Sequence, residues 1–294
     1  MPRPLAYEAP GRPYAPLLSR MFAIACGTCM TICLLMLAAI LWKTFQFGWD
    51  RLDWSFLQRK PSYAAARTGI LVPLVGSLYL IGLTALIAVP AGIGAAIYLE
   101  EYAPPSRMRT IIQTNIANLA GVPSIVYGIL GLGLFVRQLN LGRSVLAGAL
   151  TMSLVVLPIV ILSAQEALRA VPNTIRQASY ALGATRWQTI WRQLLPAALP
   201  GMLTGVILSL SRALGEAAPL VAIGAATIVR KVPQNLAKDE FTALPMQIYY
   251  WTDMPDEAFH EVAAAAIIVL LTVLIVMNAL AVYLRYKFGK RVQW

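Results

Sequence analysis

The chain has 294 residues, of which 59% are apolar and only 13% charged, and its formal net charge is +11. Soluble domains carry about 45–50% apolar and about 25% charged residues. This composition, with apolar runs longer than about 18 residues, excludes an ordinary soluble domain and predicts a multi-span membrane protein. The positive charge is typical of lysines and arginines that flank membrane spans, so no nucleic-acid partner is expected.

The N-terminal region combines a proline-rich tail with a first apolar segment. Prolines recur through the first sixteen residues, so residues 1–20 are predicted to form a disordered cytoplasmic tail. The segment 21–42 is long enough to cross a bilayer and lacks an A-x-A-like cleavage site. It therefore predicts a retained helix, which forms one unit, 21–69, with the external loop that follows.

Five further apolar segments predict an all-α integral membrane fold with six transmembrane helices. They are 70–99, 111–136, 145–165, 199–229 and 262–284. Prolines inside them are tolerated where neighbouring helices satisfy the freed backbone groups. These segments form a predicted core, 70–285, followed by a basic cytoplasmic tail, 286–294.

Two long polar loops, 43–68 and 230–261, are predicted on the side opposite both termini. Aromatic residues at their edges suit an interfacial belt. These residues are Trp42, Trp49, Trp54, Tyr249, Tyr250 and Trp251. The terminus side has thirteen lysines and arginines against ten on the other side. This excess favours cytoplasmic termini.

The chain offers little for catalysis, metal binding or ATP binding. Cys26, Cys29 and Cys33 fall on one face of the first span, where we expect them to act as small apolar residues rather than as a redox or metal site. His260 is the only histidine, which argues against a catalytic triad or a histidine-rich metal site. The sequence has no G-x-x-x-x-G-K-[ST] loop. The chain is therefore predicted not to be an enzyme, and the energy for transport must come from another polypeptide.

The loop between the fourth and fifth spans, 166–198, is too long for a tight turn and has a helical pattern. Asn173 is a candidate cap, Gly183 interrupts the pattern and Pro196 follows its last apolar residues. The sequence predicts two short helices joined at Gly183, the second ending at Pro196. Two interpretations stay open: a helix lying on anionic lipid, and a loop that docks on another protein.

Arg212 and Glu216 lie four residues apart in an otherwise uncharged apolar stretch. One charge at a bilayer centre costs about 2.5–3.5 kcal/mol on insertion scales. On a helix both side chains share a face with Gly201 and Gly205, which should point at protein or an internal cavity. The pair is either an ion pair that fixes the register between helices or a guanidinium that lines an anion path.

Polar residues of the third predicted span are further candidates for the pathway. They are Asn115, Asn118, Ser124 and Tyr127. Ser124 and Tyr127 are three positions apart and can share a helix face. Hydrogen bonding between helices is the simpler interpretation for each of them, and a place in the substrate pathway is the alternative.

The run QASYALGATRWQTIWRQLLP, 177–196, resembles the coupling loop of ABC-importer permeases, in which E-A-A is followed at fixed spacing by Gly and by I-x-L-P. The matching residues are Ala178, Gly183, Leu195 and Pro196, whereas Gln177, Ser179 and Gln193 depart from the pattern. The runs NLAGVPSIVYGILGL, 118–132, and SRALGEAAPLVAIGA, 211–225, are similar to the phosphate-importer branch, and to its PstA-type subunit most of all. The likeness covers roughly 70–285.

This resemblance implies a type I ABC importer permease that moves inorganic phosphate across the bacterial inner membrane by alternating access. It implies a PstC-type second permease, two ATP-binding subunits and an external phosphate-binding protein docked on 43–68 and 230–261. The ATPase would hold ATP and Mg, so no cofactor is expected in this chain, and residues 177–196 would sit in its groove. The matching Arg212 and Glu216 are implied in transport.

Glu216 adds a hypothesis about selectivity. Phosphate keeps a proton near neutral pH and can donate it to this carboxylate, whereas sulfate has none and is repelled. Two alternatives stay open: a permease for another oxyanion such as sulfate or molybdate, and an autonomous channel or secondary transporter.

Overall fold

The computed structural model describes residues 15–225 and 228–289, which are largely helical and contain no β-strand beyond one isolated bridge. The predicted all-α fold is therefore confirmed. The first helix already begins at Ala15, so the predicted boundary of the tail at residue 20 is corrected for residues 15–20. Pro16 stands in the first helical turn, where its missing N–H costs no helical hydrogen bond. The rest of the predicted tails, 1–14 and 290–294, lies outside the described residues.

Twelve α-helices make up most of the described chain. They are α1 (Ala15–Gly48), α2 (Trp54–Gln58), α3 (Leu71–Ile97), α4 (Arg107–Ala120), α5 (Ser124–Gly131), α6 (Val145–Arg169), α7 (Asn173–Ala181), α8 (Arg186–Thr189), α9 (Leu195–Gly215), α10 (Ala218–Ile223), α11 (Leu244–Thr252) and α12 (Glu257–Gly289). Three π-helical turns extend α3, α5 and α8: π1 (Tyr98–Tyr102), π2 (Leu132–Gln138) and π3 (Ile190–Leu194).

Five continuous helices of the described chain are long and apolar enough to cross a membrane. They are Ser19–Arg51, Leu71–Tyr102, Val145–Arg169, Arg186–Gly215 and Glu257–Lys287. The predicted span 111–136 is instead broken: α4 and the α5–π2 helix meet at an angle of 100°. Gly121 and Pro123 lie at the break, and Pro123 removes a backbone donor and disfavours helix in the residue before it.

The broken helix still connects the two ends of the bundle. At one end the guanidinium of Arg109 lies 3.4 Å from the Glu100 carboxylate, beside the end of α3. At the other end Ser144 forms the isolated bridge with Glu240, in the loop before α11. Together α4 and α5 thus make the sixth crossing. With six crossings, Ala15 and Gly289 lie at the same end as the segment between α6 and α9.

Helix α6 is the centre of the bundle, and α3, α4, α5 and α9 pack around it. Small residues allow close approach where little hydrophobic driving force acts between helices in lipid. A Cβ added to Gly92 of α3 would meet Val160, and one added to Gly205 of α9 would meet Ser163. Glycines allow close packing of the broken helix as well, since Gly128 and Gly131 lie against α10 and α6, respectively.

The predicted polar loop 230–261 contains a buried helix. Helix α11 packs between α12 and α3, and the backbone N–H of Leu244 donates to the hydroxyl of Ser77 at 2.7 Å. Trp251 is completely buried there, so its predicted place in an interfacial aromatic belt is wrong. Trp42, Trp49, Trp54 and Tyr249 are exposed, as a belt requires.

Candidate functional site

The charged pair stands where α9 ends. Arg212 lies in the last helical turn, and the backbone turns to an extended conformation at Glu216. The predicted continuous span 199–229 is therefore corrected, because its helix stops at Gly215. The Nε of Arg212 donates to Oε1 of Glu216 at 2.8 Å, so the predicted pairing at i, i+4 is present.

The two partners differ in exposure. The Arg212 side chain is 59% exposed, whereas that of Glu216 is 17% exposed. The second carboxylate oxygen of Glu216 is buried and has no hydrogen-bond partner in the described part of the chain. The exposed part of the guanidinium is thus available to a further group, whereas the unpartnered carboxylate oxygen is enclosed by the protein. A guanidinium of this kind can bind an oxyanion, and the carboxylate could meet such an anion only after Glu216 turns out of its buried position.

The depth of this pair follows from helix packing. Gly205 of α9 lies against Ser163 of α6, and Gly201 lies against Ala167, so the two helices run antiparallel. Arg212 is seven residues beyond Gly205, about 10 Å along the axis. This places it level with the middle of α6. An exposed guanidinium at that depth is costly in lipid, so it must face water or another subunit.

The small-residue face predicted for α9 is only half covered by this chain. Gly201 and Gly205 contact α6, whereas Arg212, farther along the helix, is largely exposed. Beside it, the hydroxyl of Ser211 is hydrogen-bonded to Asn278 of α12, which anchors this part of α9. Most of the Arg212 side chain is therefore not covered by the described part of this subunit.

The four polar candidates near the α4–α5 break have different surroundings. Tyr127 is buried, and its hydroxyl donates to the carbonyl oxygen of Leu119 at 2.7 Å, which ties α5 to the end of α4. The side-chain amide of Asn115 donates to the carbonyl oxygen of Ile111 on its own helix. Asn118 is exposed and Ser124 is partly buried in the first turn of α5.

The break and the charged pair belong to adjacent elements. Helix α5 packs against α10, the helix that follows Glu216, through Gly128, which contacts Pro219 and Ala222. In the described residues, no hydrogen bond joins Asn118, Ser124 or Tyr127 to the charged pair. Tyr127 stabilises the bend, and the exposed side chain of Asn118 remains available to a pathway.

The segment between α6 and α9 forms the two short helices predicted for it. Helix α7 ends before Gly183, whose φ of +81° is the left-handed conformation that favours glycine. Thr185 then caps α8 in a reciprocal capping box with Gln188. The predicted stop at Pro196 is wrong, because α8, π3 and α9 form one helix, Arg186–Gly215. Pro196 lies inside this continuous helix, directly after the π-helical turn π3, and its missing N–H removes one backbone donor there.

We call residues 173–196 the coupling segment. Its tip exposes large apolar side chains beyond the bundle: the Leu182 side chain is 89% exposed, and Tyr180, Trp187 and Trp191 are also exposed. Of the residues predicted to couple to an ATPase, Gln177, Ala178, Gly183 and Pro196 are exposed, and Ser179 and Leu195 are partly buried. Ser179 is hydrogen-bonded to Thr189, which holds α7 against α8. An apolar, ordered tip of this kind fits a protein partner.

The opposite end of the bundle carries a basic pocket. Its lining includes Lys60, Arg230, Lys231 and Lys238. Asp239 also lines it, but its carboxylate accepts hydrogen bonds from the backbone N–H groups of Asn235 and Gln234. These bonds, that of Asn235 first, lower the pKa of Asp239 and keep it ionised within its own loop. Glu240 is the other acid of the lining, so four basic side chains stand against two acidic ones and the pocket has an excess of positive charge.

The described residues hold no group of three or more histidine, cysteine or acidic side chains placed to bind a metal ion. Cys26, Cys29 and Cys33 are exposed on α1 as free thiols. The acidic pair Glu100 and Glu101, which the sequence patterns did not single out, is nearly buried in π1 and bound by arginines. Two adjacent acids at the end of an apolar segment were the only sequence signal for this cluster.

Comparison with solved structures supports the helical architecture. A bacterial ABC transporter involved in the import of the acidic polysaccharide alginate aligns with a TM-score of 0.61 and 14% identity, over 91% of this chain and 95% of that one. The MetNI methionine ABC transporter aligns with a TM-score of 0.58 and 14% identity, over 72% of this chain and 93% of that one. At such low identity the likeness shows the fold alone, which is that of type I ABC importer permeases.

Relatives found by sequence are more similar to this chain than these solved structures are, by sequence identity. The phosphate transport system permease protein PstA 1 of Mycobacterium tuberculosis (strain H37Rv) is 33% identical over 269 residues, 90% of this chain and 86% of the relative. The PstA protein of Mycobacterium leprae is 36% identical over 70% of this chain and 67% of its own length. A probable ABC transporter permease protein of Bacillus subtilis, YqgI, is 37% identical over 68% of this chain and 69% of its own length.

The match to a described family covers most of the helical core. Residues 88–290 match the family described as binding-protein-dependent transport system inner membrane component. This range includes the broken helix, the coupling segment and the charged pair. The chain therefore belongs to this family of ABC transporter permeases and is a multi-pass inner-membrane protein.

Proposed function

We propose that this chain is the PstA-type permease subunit of an ATP-driven importer of inorganic phosphate. The observation that carries the proposal is the largely exposed guanidinium of Arg212 at mid-depth, paired with a carboxylate whose second oxygen is buried and has no partner in the described residues. The 33% identity to a named phosphate permease over 90% of this chain supports the substrate. Sulfate, molybdate and unassisted channel transport are less favoured, because the relatives named for phosphate match the whole core.

The exposed side of Arg212 requires a partner. Lipid cannot solvate a guanidinium there at low cost, and a second permease of the PstC type would instead enclose it in a shared aqueous gate. Binding sites near the bilayer midplane at such interfaces allow alternating access. Asn118, exposed beside the break, and Ser124 and Tyr127 on α5 are proposed to border this path.

The coupling segment would lie in the cytoplasm, together with both termini. Its exposed Leu182, Trp187 and Trp191 would fill a groove on one of two ATP-binding subunits, which hold ATP and Mg. The basic pocket at the other end would face the external phosphate-binding protein and attract the anion it releases. The chain itself breaks no bonds.

Reconstitution of this chain with the second permease, the ATP-binding subunits and the external binding protein tests this function directly. We expect the complex in liposomes to take up labelled phosphate only with internal ATP and external binding protein, and phosphate-loaded binding protein to stimulate ATP hydrolysis. Sulfate and molybdate serve as competing substrates. Equal uptake of sulfate would contradict the proposed substrate, and uptake by this chain alone would indicate a channel or secondary transporter.

Glu216→Gln is expected to weaken discrimination between phosphate and sulfate. The substitution keeps one oxygen for Arg212 but puts an amide in place of the unpartnered oxygen, which in this proposal accepts the phosphate proton once Glu216 turns toward the pathway. A hydrogen bond to a charged group contributes about 1.5–3 kcal/mol, so the ratio of phosphate to sulfate uptake should fall about tenfold or more. Competition assays measure this ratio, with Glu166→Gln on the exposed end of α6 as the matched control. An unchanged ratio would rule out the role given to Glu216.

A further inference from the structure

The turn π1 contacts the ends of α4 and α6 beside the coupling segment. The Glu100 side chain is only 9% exposed. Its carboxylate accepts hydrogen bonds from Gln165 Nε2 at 3.0 Å and from the Arg169 guanidinium at 2.6 Å, both on α6. The guanidinium of Arg109, on α4, approaches it at 3.4 Å. Glu100 therefore joins the ends of α3, α4 and α6 into one unit.

The neighbouring carboxylate reaches the coupling segment itself. The Glu101 side chain is 7% exposed and accepts two hydrogen bonds from the Arg176 guanidinium of α7, at 2.9 and 3.2 Å. The same guanidinium donates to the carbonyl oxygens of Leu168 and Val171, where α6 ends. One nearly buried arginine thus ties α7 to α3 and to α6 at once.

The second helix of the coupling segment also meets π1. The guanidinium of Arg186, the first residue of α8, lies over the ring of Tyr102 at 5.6 Å from its centroid. Beneath these polar contacts, Leu99 packs in an apolar cluster with Ile190 and Leu194 of π3. The apolar layer permits small sliding movements, whereas a guanidinium fork bound to a carboxylate fixes both direction and distance.

We propose that the Glu101–Arg176 pair transmits movement of the coupling segment to α3 and α6, an inference that rests on the proposed docking of an ATPase at this segment. When the segment is displaced, Arg176 pulls on Glu101, and the Glu100 cluster carries the displacement into α4 and α6 together. Glu101 is a positioning residue, since it acts through Arg176 and touches neither phosphate nor nucleotide. Without this ion pair, α7 can move with the ATPase without displacing the membrane-spanning helices.

Glu101→Gln in the reconstituted complex tests the tie, with Glu166→Gln as the control. Both variants remove one carboxylate at this end of the bundle, but Glu166 is exposed and forms no ion pair within the described residues. We expect Glu101→Gln to keep ATP hydrolysis and to raise the ratio of ATP hydrolysed to phosphate taken up by about fivefold or more, the lower end of couplings between distant sites. Glu166→Gln should keep the wild-type ratio.

Arg176→Lys provides a second variant, because it keeps the charge and loses the fork. It should raise the same ratio, and co-purification of all subunits checks that each variant assembles. The proposal is overturned if an assembled Glu101→Gln or Arg176→Lys complex keeps the wild-type ratio. It is also overturned if neither variant assembles, because the pair then serves assembly alone. Absence of ATP-driven phosphate uptake in the wild-type complex would instead contradict the proposed function.

Discussion

Arg212→Lys is expected to reduce ATP-driven phosphate uptake by about tenfold to a hundredfold. Lysine keeps the positive charge and the pairing with Glu216, but it lacks the planar fork that binds two oxyanion oxygens at once. The loss of one charge-assisted hydrogen bond costs about 1.5–3 kcal/mol, and about 1.4 kcal/mol corresponds to tenfold in rate. Initial rates of labelled phosphate uptake into proteoliposomes measure the effect.

The control for this variant is Arg137→Lys, since Arg137 is exposed in π2 and forms no ion pair in the described structure. It should transport at the wild-type rate. Arg212→Lys should also keep subunit assembly, because the guanidinium is largely exposed and supports little of the fold. Wild-type uptake by Arg212→Lys would show that position 212 supplies only charge, and the proposed contact between its fork and phosphate would be abandoned.

Gly183→Pro is expected to separate ATP hydrolysis from phosphate uptake. The native φ of +81° is closed to proline, whose ring holds φ near −65°. The substitution also removes the N–H that donates to the carbonyl oxygen of Tyr180 at 2.9 Å. The tip that carries Leu182 would then be redirected, and we expect uptake to fall about tenfold or more while hydrolysis continues, within the range of typical couplings.

Gly142→Pro is a control with the same local chemistry, because Gly142 has a φ of +61° but lies in the loop between π2 and α6, away from the coupling segment. ATP hydrolysis and phosphate uptake are measured on the same proteoliposomes, so the ratio is independent of yield. If Gly183→Pro transports with the wild-type ratio, the conformation at Gly183 is not needed for coupling. If Gly142→Pro uncouples equally, the effect is one of general backbone strain.

The sequence was most informative where a local property decides the structure. Hydrophobic length predicted six crossings, and Gly183 predicted the break between α7 and α8, because a left-handed turn requires a residue without a Cβ. The spacing of Arg212 and Glu216 predicted their contact, since residues four apart meet on a helix. The end of that helix at Gly215 was not predicted, although Gly215 and Pro219 are residue types that end helices, because glycine and proline are also tolerated inside bundled membrane helices.

Other features depend on partners that are distant along the chain. The sequence predicts an interfacial position for Trp251, yet this residue is completely buried where α11 packs against α12 and α3. The Glu100 cluster unites side chains 65 and 69 positions apart, and no spacing rule predicts such a contact.

The sequence alone determined the membrane class and predicted six crossings and the contact between Arg212 and Glu216, because hydrophobicity, charge and short-range helix geometry are local properties. Only the tertiary structure decided that α4 and α5 form a broken crossing, that the Arg212 side chain is largely exposed at mid-depth, and that π1 contacts the coupling segment. These features arise from the packing of helices around α6, and packing depends on shapes that meet only after the chain has folded.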